Sequence, residues 1–170
     1  MNNAARILVS VMLVAGVAAC AKKAVKTTPP AEQTSTTQTQ ATDNTGRYKV
    51  GDLDTDSCLR QRVVYFDLDR TEIKPEFSAQ IACHAEYLRQ FPNARVTLEG
   101  HADERGTREY NLGLGERRGN AVQSAVSAAG ASMGQLNVVS YGEERPVDRG
   151  HDESAWAKNR RVEIVYTSAN

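Results

Sequence analysis

The chain carries no net charge: 21 Lys and Arg stand against 21 Asp and Glu in 170 residues. A balance of that kind lacks the basic footprint that phosphate backbones require, so nucleic acid is not an expected partner. Long hydrophobic runs are absent too. The apolar stretch from Ile7 to Ala19 is too short to span a bilayer, which needs about 20 residues. Aromatics make up only 6% of the chain, and no internal repeat is visible. There are three cysteines and three histidines, and their spacing does not form a ligand set for zinc. Neither a metal nor another cofactor is expected. What remains is room for one folded domain plus polar extras.

The extras lie at the N-terminus. Residues 1–19 read as a signal peptide: a short positive start, an apolar run, then small residues. The run closes as "LVAGVAAC" on Cys20. A plain signal cut after Ala19 is one reading. The other is the bacterial lipobox, which this stretch resembles and which would make Cys20 a lipidated first residue. Each buried acyl methylene contributes about 0.8 kcal/mol, so two or more chains hold a protein to a membrane. Residues 20–46 form a linker rich in Thr, Gln, Pro and Ala, with too little apolar surface to offset its ordering entropy. As a flexible tether it would have an r.m.s. span of about 25–30 Å. Lys22, Lys23 and Lys26 would serve solubility or touch acidic headgroups.

Residues 47–170 show the patterns of a folded domain. Strands are predicted over Arg62–Phe66, Ala94–Gly100, Leu136–Tyr141 and Arg160–Tyr166. A helix with Phe77, Ile81, Ala85 and Leu88 on one face precedes Pro92. A second runs from about Arg108 to Ala129 and is closed by Gly130. A short third helix is capped by Asp152 or Ser154. The alternation predicts an α/β fold with helices packed on one sheet. Cys58 lies just before the first strand and Cys83 in the first helix. In an oxidising compartment this pair favours a disulfide, two buried free thiols being the alternative.

The second helix contains an oddity. Leu114, Ala121, Val122, Ala125, Val126 and Ala129 gather on one apolar stripe, and Asn111 and Arg118 fall in its middle. A buried guanidinium without a partner costs several kcal/mol. Asp103, just upstream, is either its internal salt-bridge partner or the second arm of a ligand clamp. Gly115 and Gly119 lie near the stripe, where close backbone approach would compensate their low helix propensity. Arg160 and Arg161 cannot share one side of a strand, so one of them is expected to anchor the domain internally. Glu104, Arg105 and Arg117 read as solvated or structural charges.

In order along the chain, "VYFDLDRTEIKPEF", "LEGHADERGTREYNLGLGERRGNAV", "VSYGEERP" and "NRRVEIVY" resemble the OmpA-like peptidoglycan-binding domain family, in its lipoprotein branch. The resemblance covers Val63–Tyr166. It implies a two-layer sandwich with helices on a mixed four-stranded sheet, and a non-catalytic role. The ligand it implies is the diaminopimelate of the peptidoglycan stem peptide. Asp103 would take the ammonium of its free end and Arg118 the carboxylate, with Asn111 beside them. Leu68 and Asp69 would contribute backbone contacts and Leu114 an apolar wall. The resemblance further implies outer-membrane anchorage by lipid, a periplasmic domain, the Tol–Pal system of envelope integrity and cell division, and TolB as a partner. A protein-interaction module without wall binding is the alternative. An enzyme using Asp67, Asp69, Asp103 and Glu104 as acid and base is a weaker one, because no nucleophile–base motif accompanies them.

Overall fold

The computed structural model describes residues 46–170. The signal sequence, Cys20 and nearly all of the linker lie outside the described residues. Within them, no helix is long and apolar enough to cross a membrane.

Four strands form one mixed sheet: β1 (Val63–Tyr65), β2 (Arg95–His101), β3 (Leu136–Gly142) and β4 (Arg161–Ser168), in the order β1-β4-β2-β3. β2 and β3 run parallel, whereas β4 is antiparallel to both β1 and β2. A parallel pair needs a crossover, and the long helix α2 (Arg108–Ala128) supplies it. The helix α1 (Ser78–Gln90) follows a 3-10 turn over Pro75–Phe77, where proline's fixed φ suits a helix start. The short α3 (Glu153–Asn159) is capped by Asp152, whose carboxylate accepts from the Ala155 N–H at 3.0 Å.

Alternation along the strands builds the core. Val96, Leu98, Val162 and Ile164 turn one way and meet Ile81, Ala85 and Leu88 of α1 and Val122 and Val126 of α2. The stripe holds for its middle members, but Ala129 is exposed, because it caps the helix at its C-terminal end. The disulfide is formed: Cys58 and Cys83 tie the segment before β1 to α1.

Glycine sets how near α2 lies to the sheet. A Cβ on Gly100 of β2 would fall 2.0 Å from the Gly115 carbonyl oxygen, and one on Gly119 would fall 2.5 Å from Val138 Cγ1. Helix and sheet therefore touch backbone to backbone. The contact outweighs a propensity loss of up to about 1 kcal/mol per helix glycine, and it fixes the first turns of α2 beside the end of β2.

Candidate ligand-binding cleft

Three segments converge at that end: the turn after β1, the loop from Ala102 to Thr107, and the first half of α2. Asp69 lies in the turn at φ 55°, a left-handed conformation that aspartate tolerates better than most residues. Gly106, at φ 114°, turns the loop into α2, and the Thr107 hydroxyl caps the helix by accepting from the Tyr110 N–H at 3.2 Å. Between these segments lies a cavity of about 350 Å³. All six residues singled out in the sequence for diaminopimelate line it: Leu68, Asp69, Asp103, Asn111, Leu114 and Arg118. Arg105, Gly106, Tyr110 and Arg160 complete the wall.

Arg118 and Asp103 do not pair with each other. Arg118 is fully buried and is held by backbone carbonyls. Its Nε donates to Arg70 O at 2.9 Å, Nη1 to His101 O at 2.9 Å and Nη2 to Asp67 O at 3.0 Å. Its guanidinium also lies 5.2 Å from the centre of the Phe66 ring. Three of its five N–H groups are thereby used, and one on each Nη remains. Burial pushes its pKa down to about 10, against the opposing pull of Asp103, and it stays cationic at neutral pH.

Asp103 is buried and ionised. Burial alone would raise its pKa. Hydrogen bonds from Arg105 and Arg160 reverse that and hold it below the ordinary carboxylate range. Its Oδ1 accepts from the Arg105 backbone N–H at 3.1 Å and from Arg105 Nε at 3.2 Å. Its Oδ2 accepts from Arg105 Nη2 at 2.7 Å and from Arg160 Nη1 at 3.2 Å. Asn111 braces the loop by donating to Asp103 O at 3.0 Å and Arg105 O at 3.3 Å, and it also donates to Glu143. Asp69 accepts from the Tyr110 hydroxyl across the mouth. Leu68 and Tyr110 make an exposed apolar rim.

The sequence reading assigned none of Arg105, Gly106, Tyr110 and Arg160 to the wall. Tyr110 precedes Leu114 by one helical turn, a spacing that could have placed it there. Arg105 is two residues from Asp103 in one loop, within reach of the same carboxylate. Arg160 and Arg161 are both buried, where only one internal anchor was expected. Arg160 precedes β4 and bonds Asp103, Glu153 and Phe66 O. Arg161 opens the strand and bonds Glu163, Asn159 O and Arg145 O. Of the four carboxylates of the enzyme alternative, Asp69 and Asp103 line the cleft, whereas Asp67 and Glu104 lie outside it. Asp67 pairs with Lys74 at 2.8 Å, and Glu104 accepts from His151 and Trp156 beside a separate cavity. Those hydrogen bonds hold Asp67 and Glu104 below the usual carboxylate range, the wrong direction for a general acid.

One buried group near the cleft is not satisfied. His101, whose carbonyl holds Arg118, packs flat against Tyr141 with neither ring nitrogen hydrogen-bonded. Burial, joined by the charge of Arg161 and opposed by Glu163, pushes its pKa down to about 4 from an ordinary 6.5. A depressed folded pKa means that the unfolded chain takes up the proton first. The stability is full above pH 6.5 and is lost as pH falls toward 4. Between pH 7 and 4.5 the loss should be on the order of 2 kcal/mol, from about 1.4 kcal/mol per pKa unit. Urea denaturation of wild type and His101→Phe at both pH values checks this: the variant should lose less on acidification by that amount.

Residues 65–160 match the model of the OmpA family. The peptidoglycan-associated lipoprotein of Pseudomonas aeruginosa is 51% identical over 115 residues, which span 67% of this chain and 68% of that protein. The protein of the same name from Haemophilus influenzae is 46% identical over 121 residues, spanning 71% of this chain and 76% of that one. Among solved structures, the peptidoglycan-associated lipoprotein of Burkholderia pseudomallei aligns with a TM-score of 0.65 at 45% identity, over 66% of this chain and 96% of that one. The C-terminal domain of Helicobacter pylori MotB aligns at 0.57 with 21% identity, over 62% of this chain and 82% of that one, and shares the fold. With a mixed four-stranded sheet, helices packed upon it and relatives of this closeness, the chain belongs to the OmpA family, within its peptidoglycan-associated lipoproteins.

Proposed function

We propose that this protein ties the outer membrane to the cell wall without catalysis, its cleft binding the free end of diaminopimelate on the peptidoglycan stem peptide. One observation carries the reading: a single cleft holds a buried, ionised aspartate and a buried arginine that still has N–H groups to give. The free end of diaminopimelate is a zwitterion, with one ammonium and one carboxylate on the same carbon. Asp103 suits the first and the remaining fork of Arg118 the second. Asn111 holds the loop between them. Backbone groups at Leu68 and Asp69 lie within the same wall, and Leu114 offers apolar contact. Charge-assisted hydrogen bonds contribute about 1.5–3 kcal/mol each. Ordering costs offset much of that, so the affinity for one stem peptide is modest. Lipid on Cys20 would keep the domain near the wall, where many weak contacts add up.

The same reading places the protein in the Tol–Pal system, with TolB as a competitor for the cleft. The apolar rim of Leu68 and Tyr110 favours this, since exposed apolar residues around a polar centre suit a protein partner as well as a peptide. Cosedimentation with purified diaminopimelate-type peptidoglycan tests the wall reading. The wild-type chain should pellet with the wall, and TolB should release it. A chain that stays in the supernatant, or that pellets with wall and TolB together, would contradict the corresponding half.

A further inference from the structure

The Asp103 carboxylate is already full. Two oxygens offer about four lone-pair positions, and four protein N–H groups occupy them: the Arg105 backbone amide, Arg105 Nε, Arg105 Nη2 and Arg160 Nη1. An arriving ammonium has no vacant acceptor until one of these donors leaves. Arg160 is poorly placed to do so, being 7% exposed and also bonded to Phe66 O and to Glu153 at 2.6 Å. Arg105 is different. Its side chain is 32% exposed and it supplies two of the four bonds. A second carboxylate is in reach, with Arg105 Nη1 3.5 Å from Glu153 Oε2. Its guanidinium also lies 4.2 Å from the centre of the Trp156 ring, a favourable resting place for a cation.

We propose that Arg105 is an internal stand-in for the ligand's ammonium, occupying Asp103 in the free protein and, when a ligand ammonium displaces it, falling back on the Glu153 and Trp156 contacts it already makes. The inference rests on the cleft reading above and adds a specificity device to it. Asp103 is kept paired when no ligand is present, which a buried carboxylate requires. A ligand must bring its own cation to that position, because a ligand with only a carboxylate cannot relieve Arg105. The exchange weakens binding by the strength of the Arg105 side-chain pair.

Trp156, the sole tryptophan of the chain, reports the exchange. The full chain in detergent is titrated with a stem tripeptide ending in diaminopimelate, and with the same peptide acetylated on the free-end amine. Arg105→Met should bind the free-amine peptide tighter than wild type by about threefold to tenfold, as expected for removing a charge pair with one partner partly exposed. Arg105→Lys, which keeps a cation with one point of contact, should fall between. Trp156 emission should change on binding in wild type and not in Arg105→Met. Affinity in Arg105→Met equal to or below that of wild type, or an unchanged Trp156 emission in saturated wild type, overturns the role given to Arg105 and leaves the cleft reading standing. Absence of wild-type binding removes both. Circular dichroism confirms folding of the variants. Should Arg105→Met fail to fold, Arg105→Lys and wild-type Trp156 emission decide the question alone.

Discussion

Replacing Arg118 with alanine is expected to destabilise the domain by about 3–5 kcal/mol. The side chain is fully buried and joins α2 to two pieces of chain distant in sequence, the turn at Asp67 and Arg70 and the end of β2 at His101. Its removal leaves those acceptors short of a donor, at about 1–3 kcal/mol for each one that water does not reach. It also opens a cavity under Phe66. The turn from Asp67 to Arg70 would lose its tie to α2. Urea denaturation measures the loss, and a change below about 1 kcal/mol would show that the guanidinium is not the strut described here. The consequence for function is direct. Lost wall binding in Arg118→Ala cannot be read as a lost ligand contact, because the cleft itself depends on this side chain.

Breaking the disulfide should have the next largest effect. Cys58 and Cys83 close a loop with a sequence separation of 25. The chain-entropy model puts such a crosslink at about 3 kcal/mol. Denaturation of Cys58→Ala with Cys83→Ala, beside wild type, should show that difference. Neither α1 nor the segment before β1 contributes a residue to the cleft. The folded variant should therefore bind stem peptide as wild type does. A stability loss near zero would mean that local packing, from Leu59 and Ile81 among others, already restrains that segment in the unfolded chain.

Much of this was legible in the residues. The 3.6-residue period of α2 put Arg118 on the buried stripe, and the nearby glycines pointed to a close backbone approach, which the structure makes to β2 and β3. The four strands lay where β-branched runs and turn residues placed them, within a residue or two at the ends. Arg118 was read as needing a partner from the protein or from a ligand; its protein partners are carbonyls, which every residue carries and no sequence pattern marks. The internal Asp103–Arg118 salt bridge, one of the two readings of that pair, does not form, because Arg105, two residues from Asp103, and Arg160 hold the carboxylate instead. The strand alternation that allowed one internal anchor at Arg160 and Arg161 failed because Arg160 sits outside β4, at the C-cap of α3, where period-two logic does not apply. Ala129 was counted into the stripe on period alone, though it lies just past α2 as its C-cap.

In the proposed function, Asp103 receives the ligand's cation. Calorimetric titration with a diaminopimelate stem peptide, run on wild type and Asp103→Asn, tests it most directly. Asparagine keeps the size of the side chain and removes the charge, while Arg160 retains Glu153. Saturable heat in wild type, with affinity at least about tenfold weaker in a folded Asp103→Asn, is the predicted result, from a charge-assisted bond of about 1.5–3 kcal/mol. Equal affinity in the two proteins would contradict it.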